Sequence, residues 1–255
     1  MIGVQPDSIM ERYRERASGP APRPVEGHLR RPAPAFDIVR PASDGVIREW
    51  VNTLLAIVAL VVLSPIMLLI ALVVKLTSRG PALYTQTRVG LDRRHPGNGA
   101  DNHRRALDLG GKPFTIYKFR TMHPDAERQT GAVWATKRDA RITPVGRFLR
   151  QYRLDELPQL LNVLKGEMNI VGPRPERPTI FAELTENIAE YRFRQRAKPG
   201  ITGLAQINHH YDECLDDVRK KVQYDLEYIQ RQGLLEDFKI MLKTIPVVLL
   251  RRGGW

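Results

Sequence analysis

The longest run of apolar positions in the chain covers residues 51–74, VNTLLAIVALVVLSPIMLLIALVV, and contains no charged residue. A helix of this length reaches about 36 Å at 1.5 Å per residue, enough to cross a bilayer core of about 30 Å. Apolar residues cover every face of this helix, whereas a helix of a soluble domain usually has one polar face. The pattern therefore predicts a membrane segment. Its late start and its length exclude a cleaved signal peptide.

Ser64 and Pro65 lie near the centre of this segment. Proline removes the hydrogen bond to the carbonyl four residues back and costs about 3 kcal/mol in a helix interior. Basic residues lie on both sides, three in residues 31–50 and five in residues 75–94, so the positive-inside rule places both ends on the cytosolic side. The residues alone leave two topologies open: a kinked spanning helix, in which Ser64 satisfies freed backbone groups, or a re-entrant hairpin of two half-helices.

The segments around the membrane segment predict an α+β fold in which helices dominate. Residues 1–45 are rich in Pro and Arg and poor in large apolar residues, which predicts a flexible N-terminal tail. Residues 82–90 and 112–122 alternate polar with β-branched or aromatic residues, which predicts a β-hairpin with a long polar loop at 91–110. We therefore expect a small globular cytosolic domain after the membrane segment.

Helical periodicity dominates the second half of the chain. The predicted helices are 155–166, 176–196, 214–232 and 234–250. A short apolar run followed by a proline-stiffened loop is predicted at 168–178, and a turn with a short extended segment at 198–207. The last helix carries apolar residues on one side, a pattern that fits a surface amphipathic helix at a membrane as well as a helix packed on a core.

The charge of the chain is unevenly distributed. The formal net charge is +12 and the pI is about 10.1. Residues 75–153 alone carry 17 basic and 6 acidic residues. A basic surface next to a membrane segment favours phosphate groups and anionic lipids as partners. A nucleic-acid partner is not expected, because no recognition-helix or RNP-like motif is present.

Composition and missing motifs exclude several classes of enzyme. Six His and one Cys leave no material for a zinc cluster or a disulfide framework. The sequence contains no Walker A loop, no G-x-G-x-x-G and no G-x-S-x-G, the usual signatures of P-loop hydrolases, dinucleotide-binding dehydrogenases and α/β-hydrolases.

Two adjacent carboxylates, Asp155 and Glu156, begin a predicted helix shortly after Arg150 and Arg153. Acidic residues in a first helical turn also have a structural explanation, since they complement the helix dipole. In the functional interpretation, a carboxylate held near cations stays ionised and attacks phosphorus, while its neighbour binds a hard metal ion.

Two further groups are candidates for binding phosphate. Pro173 and Pro175 flank Arg174 and fix its backbone, which suits planar recognition of a phosphate or a base edge. Lys118 and Arg120 lie at the end of a predicted strand. A rigid turn and a solvated strand face explain the same residues without any function.

Taken together and in this order, the motifs resemble the bacterial sugar transferase family, the monotopic polyprenyl-phosphate phosphoglycosyl transferases. The resemblance covers about residues 46–250 and is carried by IYKFRTM, RLDELPQLLNVLKGEMNIVGPRPE, KPGITGLAQI and YDLEYI. It implies transfer of a sugar-1-phosphate from a UDP-sugar to undecaprenyl phosphate with release of UMP. In this family that reaction initiates the synthesis of exopolysaccharides and other surface glycans.

The resemblance also implies roles for individual residues. Asp155 would be the nucleophile that forms a covalent aspartyl phosphosugar, and Glu156 would help to hold Mg²⁺. The residues that match phosphate-binding or nucleotide-binding positions of the family are Lys118, Arg120, Arg150, Pro173, Arg174, Pro175 and Asp225.

In the family the membrane segment is a re-entrant helix broken at a Ser-Pro pair. The pair matches Ser64-Pro65 of this sequence, and the segment corresponds to residues 46–76. Both ends would then be cytosolic, with residues 77–255 as the catalytic domain on the cytosolic face of the bacterial inner membrane. The alternative function is a non-catalytic basic adaptor that binds anionic lipids, in which the two carboxylates are incidental. The sequence departs from the family pattern in the long loop, in the tail and at Leu204, where many relatives have Trp. The identity of the transferred sugar is therefore not determined. The sequence does not determine a homo-oligomeric state.

Overall fold

The computed structural model describes residues 45–92, 111–124, 126, 139–209 and 215–250. The predicted tail and nearly all of the predicted loop at 91–110 lie outside these residues. In chain order the elements are α1 (Val46–Thr77), β1 (Leu83–Val89), β2 (Pro113–Phe119), α2 (Pro144–Gln151), a 3-10 helix (Leu154–Gln159), α3 (Leu160–Leu164), β3 (Asn169–Val171), α4 (Pro178–Asn187), a second 3-10 helix (Ala189–Arg196), β4 (Gly200–Thr202), α5 (Leu204–Asn208), α6 (Leu215–Arg231) and α7 (Leu234–Leu249). The predicted fold class, mainly helical with a β-hairpin, is confirmed.

The apolar segment forms one helix, α1, of 32 residues with Pro65 inside it. The predicted re-entrant break at Ser64-Pro65 stays a prediction, and Pro65 lies at the predicted position inside the helix. Pro65 has no N–H for the carbonyl of Val61, and the hydroxyl of Ser64 donates to that carbonyl instead, at 2.8 Å. In the part of the chain that the structure describes, α1 is the one helix long and apolar enough to cross a membrane.

One face of α1 packs against the rest of the protein along the whole helix. The buried residues on this face are Arg48, Asn52, Ala56, Ile70 and Val74. Ala56 packs against Phe114 and Ile116 of β2, whereas Ile70 and Val74 pack against Phe119 at the end of the same strand. The other faces remain exposed, as at Leu54 and Leu68. The helix thus lies along the domain and presents its remaining apolar surface outward.

The predicted hairpin is confirmed. β1 and β2 are antiparallel, with Tyr84 opposite Lys118 and Val89 opposite Pro113. Side chains alternate between the two faces of a strand, so Lys118 shares a face with the buried Phe114 and Ile116. This register turns Lys118 toward the interior at the end of β2.

A second pair of strands, β3 and β4, was not predicted in this form. The strands are parallel, with Asn169 opposite Gly200 and Val171 opposite Thr202. A Cβ atom on Gly200 would lie 2.0 Å from the backbone nitrogen of Gly172, so the close approach of the two segments requires glycine. Three-residue strands are too short to carry a periodic signal, which is why only a short apolar run and a short extended segment could be predicted here.

The helical region follows the predictions with two differences. The predicted helix at 155–166 begins as the first 3-10 helix and continues as α3, because Pro158 cannot donate an α-helical hydrogen bond. The predicted helix at 176–196 is divided at Ile188, whose backbone is extended (φ −136°, ψ 101°), into α4 and the second 3-10 helix. The last two helices agree with their predicted ranges to within one residue.

Candidate active site

The two carboxylates lie in the first turn of the 3-10 helix that follows α2. Asp155 is 7% exposed and Glu156 is 5% exposed. Arg153, immediately before this helix, has φ +54° and ψ 21°, and no other described residue except glycine has a positive φ. The left-handed conformation costs about 1 kcal/mol for a residue with a side chain. The strain is confined to the position that leads into the carboxylate pair.

Glu156 holds three cations. Its Oε1 atom lies 2.8 Å from Nζ of Lys118 and 2.7 Å from Nη2 of Arg174. Its Oε2 atom lies 3.6 Å from Nη1 of Arg153. Burial acts to raise the pKa of Glu156, but Arg174, Lys118 and Arg153 together hold that pKa well below its usual range. Glu156 is therefore an anion around which the basic residues converge.

Asp155 is different from its neighbour. Within the described ranges its carboxylate makes no hydrogen bond and no ion pair, and its oxygen atoms are not among the fully buried ones. Burial raises the pKa of Asp155, and the charge of Glu156 adds to that effect, while Lys118 and Arg150 oppose it. The result is a relatively basic carboxylate that no neighbouring group engages, which suits attack on phosphorus.

Arg150 and Lys118 are held in place by neighbouring elements. Nε of Arg150 donates to the hydroxyl of Thr121 at 2.9 Å, and the backbone carbonyl of Thr121 accepts from the N–H of Thr143 at 3.0 Å. Burial lowers the pKa of Lys118, and Glu156 opposes that shift. Four cations, at residues 118, 150, 153 and 174, thus face two carboxylates, an excess of two positive charges.

Arg174 reaches the carboxylates from the loop that follows β3. Pro173 and Pro175 flank it, as the sequence indicates, and they fix φ on both sides. The side chain of Arg174 is 34% exposed although it contacts Glu156. The side chain of Arg174 is therefore anchored to Glu156 and still partly exposed.

The structure brings Lys118, Arg150 and Arg174 to the carboxylate pair, but it places two other predicted residues elsewhere. Arg120 donates to the carbonyl and the hydroxyl of Ser78, beyond the end of α1. β2 ends at Phe119, so the alternation that turns Lys118 inward does not extend to Arg120. Asp225 is 1% exposed and accepts from Nε of Arg194 at 2.6 Å. Neither residue contacts Asp155 or Glu156 in the described part of the chain.

Three arginines near the site were not among the predicted binding residues. Arg153 lies inside the motif that contains the carboxylates, so its position was a usable signal. Arg88 contacts Pro175 and Arg194 contacts the carbonyl of Arg174. Their partners lie 87 and 20 residues away along the chain, and no local pattern reveals contacts of that kind.

The magnesium ion that the resemblance implies can be compared with the available donors. Both carboxylate oxygens of Glu156 already face cations. Among the described residues, no group of three His, Cys, Asp or Glu side chains could hold a metal ion. Mg²⁺ prefers an octahedral set of oxygen ligands. Both oxygens of Glu156 thus face protein cations in this arrangement, and the predicted role of Glu156 toward Mg²⁺ stays a prediction.

Comparisons with known proteins show which proteins the chain is similar to. A family model described as bacterial sugar transferase matches residues 43–251. A UDP-N-acetylgalactosamine-undecaprenyl-phosphate N-acetylgalactosaminephosphotransferase of Aeromonas hydrophila is 39% identical over 208 residues, which cover 82% of this chain and 45% of the relative. A UDP-glucose:undecaprenyl-phosphate glucose-1-phosphate transferase of Klebsiella pneumoniae is 38% identical and covers 83% and 42%, respectively.

A third relative has a similar length. The exopolysaccharide production protein ExoY of Sinorhizobium fredii is 37% identical over 231 residues, which cover 85% of this chain and 91% of the relative. The chain therefore spans less than half of the first two relatives and nearly all of the third.

Proposed function

The chain belongs to the bacterial sugar transferase family, and we propose that it transfers a sugar-1-phosphate from a UDP-sugar to undecaprenyl phosphate. The observation that carries this proposal is the contrast between two adjacent carboxylates. Glu156 is paired with Lys118, Arg153 and Arg174, whereas Asp155 has no hydrogen-bond or ion-pair partner in the described part of the chain. The first organises positive charge, and the second is available as a nucleophile.

In the first half-reaction, an oxygen of Asp155 attacks the phosphorus atom that carries the sugar. The bond from that phosphorus to the bridging oxygen breaks, and UMP leaves with this oxygen and its electron pair. The product on the protein is an aspartyl phosphosugar. The two excess positive charges around the pair stabilise the negative charge on the phosphoryl oxygens.

In the second half-reaction, a phosphate oxygen of undecaprenyl phosphate attacks the same phosphorus. The bond from phosphorus to the oxygen of Asp155 breaks, and the carboxylate is regenerated. Two successive displacements allow one set of cations to serve two anionic substrates in turn. Arg174 suits this role, since its guanidinium is anchored to Glu156 and its side chain remains partly exposed.

We propose that α1 is a re-entrant membrane segment and that the domain lies on the cytosolic face of the bacterial inner membrane. Support comes from the polar contacts at both ends of α1. Near its start, Nε of Arg48 donates to Asp237 of α7 at 2.7 Å. Just beyond its end, Arg120 donates to Ser78. A helix with both ends bonded to one domain keeps both ends on the side of that domain.

The position of α1 also serves the proposed reaction. Its exposed faces are apolar and would contact lipid, so the domain would lie at the interface where the phosphate of undecaprenyl phosphate is reached. The ExoY relative supports a role in exopolysaccharide production. The names of the other two relatives contain different sugars, so the sugar remains to be identified by assay.

The proposal is tested by UMP release from a panel of UDP-sugars with protein held in nanodiscs. Without undecaprenyl phosphate we expect about one UMP per active site and a protein whose mass increases by one sugar phosphate. With the acceptor we expect continuous turnover. Asp155→Asn should abolish both, and Asp216→Asn, on the exposed face of α6, should change neither.

Two outcomes would count against this function. No UMP from any sugar would remove the proposed reaction. Undiminished turnover by Asp155→Asn would remove the covalent step. If Asp155→Asn still binds anionic vesicles and the wild type is inactive, the lipid-binding adaptor is favoured. The requirement for Mg²⁺ stays a prediction, and an EDTA arm of the same assay tests it.

A further inference from the structure

In the loop at residues 172–176, named here the arginine loop, four consecutive backbone carbonyls accept hydrogen bonds from other segments. Proline has no N–H, so neither Pro173 nor Pro175 can donate a backbone hydrogen bond. Four consecutive carbonyls accept from donors elsewhere: Pro173 from the N–H of Gly200 (2.9 Å), Arg174 from Nη2 of Arg194 (3.0 Å), Pro175 from Nη1 of Arg88 (3.1 Å) and Glu176 from the N–H of Val89 (2.9 Å). Two of the four donors are arginine side chains.

Arg194 is the more enclosed of these two arginines. It is 1% exposed, and three of its nitrogen atoms have separate partners. Nε donates to Asp225 at 2.6 Å, Nη1 donates to the hydroxyl of Tyr191 at 2.5 Å and Nη2 donates to the carbonyl of Arg174. The N–H groups of a guanidinium have a fixed planar arrangement, so partners at Nε and Nη1 also set the direction of the N–H groups on Nη2.

Asp225 is the residue that fixes the direction of Arg194. Removing two charges from water is costly, and apolar residues often replace a buried ion pair without loss of stability. Packing alone therefore does not explain the pair. Orientation explains it: with Nε held by Asp225 and Nη1 held by Tyr191, an N–H of Nη2 points at the carbonyl of Arg174.

We propose that Arg194 and Asp225 form a positioning pair for Arg174. Asp225 orients Arg194, Arg194 fixes the backbone of Arg174, and the guanidinium of Arg174 then meets Glu156 at 2.7 Å. Arg88 holds the next carbonyl in the same way. The inference rests on the proposed function, in which Arg174 contacts the phosphates. It assigns Asp225 a role that does not involve touching the substrate.

A double-mutant cycle tests this chain of contacts. Arg194→Gln/Asp225→Asn removes both charges together, so that no unpaired charge is left in the interior. We expect this variant to lower the single-turnover rate constant of UMP release at saturating UDP-sugar by about 10-fold to 100-fold. In an Arg174→Ala background the same two replacements should slow the reaction by less than about 3-fold, because residues that act through one another are not additive.

The matched control is Glu227→Gln/Arg231→Gln, which removes an exposed ion pair from the same helix, α6. It should leave the rate unchanged in both backgrounds. Equal losses in the presence and absence of Arg174 would overturn the inference, since the pair would then act independently of Arg174. The same conclusion follows if the charge-free variant retains full activity.

Hydrogen exchange at two donors to the arginine loop gives a second readout that does not depend on activity. We expect the N–H groups of Val89 and Gly200, which donate to carbonyls of the arginine loop, to exchange at least about 10-fold faster in Arg194→Gln/Asp225→Asn than in the wild type, with no change in the control. If the wild type releases no UMP but the variant shows this faster exchange, the proposed function is wrong and the positioning pair is retained. Unchanged exchange would defeat the positioning pair alone.

Discussion

The Nη2 atom of Arg120 lies 2.7 Å from the carbonyl oxygen of Ser78, the residue that follows α1. The last carbonyls of a helix lack N–H partners within the helix, and a cation there also complements the helix dipole. Nε and Nη1 of Arg120 are buried and have no hydrogen-bond partner among the described residues. Arg120 thus joins the end of the β-hairpin to the end of the membrane helix.

Replacing Arg120 by Met keeps most of the apolar stem and removes the cation. We expect the free energy of unfolding in detergent to fall by about 1 to 3 kcal/mol, the usual cost of losing hydrogen bonds from a charged group. The KM for the UDP-sugar should change by less than about 3-fold. Arg79→Met, on the exposed neighbour of Ser78, should leave stability unchanged. A large rise in KM at unchanged stability would instead place Arg120 on the substrate.

The other end of α1 depends on a buried ion pair. Arg48 donates to Asp237 at 2.7 Å and also donates to the hydroxyl of Tyr228. Arg48→Met leaves Asp237 buried without its cation, and we expect a loss of about 3 to 5 kcal/mol in the free energy of unfolding. Arg48→Met/Asp237→Asn should recover most of this loss. Strictly additive losses in a thermal unfolding series would show that the two residues are not coupled.

The sequence predicted the parts of the fold that depend on local patterns. The hairpin follows from alternation at residues 82–90 and 112–122, and α1 follows from an uninterrupted apolar run. The closure of the site depends on other relationships. Arg88 reaches Pro175 across 87 residues, and β3 pairs with β4 through two three-residue segments. Neither leaves a periodic signal, because each is fixed by tertiary packing and not by neighbouring residues.

The same distinction applies to the candidate site. Lys118, Arg150 and Arg174 could be predicted because they match basic positions in the motifs of the family that the sequence resembles. Arg120 lies two residues after Lys118, and an ideal strand would place both on one face. The strand ends between them, at Phe119, and Arg120 turns to α1. A one-residue difference in the end of a strand is below what sequence patterns resolve.

The proposed topology predicts that both ends of α1 are labelled from the same side. Gly45→Cys and Arg79→Cys introduce single thiols at exposed positions in a Cys214→Ser background, and no atom lies within 4 Å of a Cβ at Gly45. We expect an impermeant maleimide to label both thiols in inside-out vesicles and neither in intact cells. Labelling of only one in intact cells would mean that α1 crosses the membrane.

Gly146 of α2 is expected to tolerate no side chain. A Cβ at this position would lie 2.0 Å from the carbonyl oxygen of Thr121, and Thr121 also accepts the hydrogen bond that orients Arg150. Gly146→Ala should therefore lower the melting temperature by several degrees and slow UMP release, consistent with a backbone shift costing about 1 to 3 kcal/mol. Gly45→Ala, where the space is open, is the control. Unchanged activity in Gly146→Ala would separate Thr121 from the site.

The pH dependence of the first half-reaction reports on the coupling of the two carboxylates. The attack requires the ionised form of Asp155, so its rate falls as the pH falls through the pKa of that group. Burial raises this pKa, the charge of Glu156 raises it further, and Lys118 lowers it. Glu156→Gln removes the like charge and releases Lys118 and Arg174 from their anion. We therefore expect the acid limb of the profile to move to lower pH.

Stability should change in a related way. Because the pKa of Glu156 is held well below its usual range in the folded protein, its ionised form adds stability above the unfolded pKa of about 4.3. That contribution is lost as the pH falls through the depressed value, and Glu156→Gln should lack it at every pH.

The rate profile is measured as UMP release without undecaprenyl phosphate, whose own phosphate has a second pKa of about 6. An acid limb that stays in place, or moves to higher pH, would show that Glu156 does not control the ionisation of Asp155.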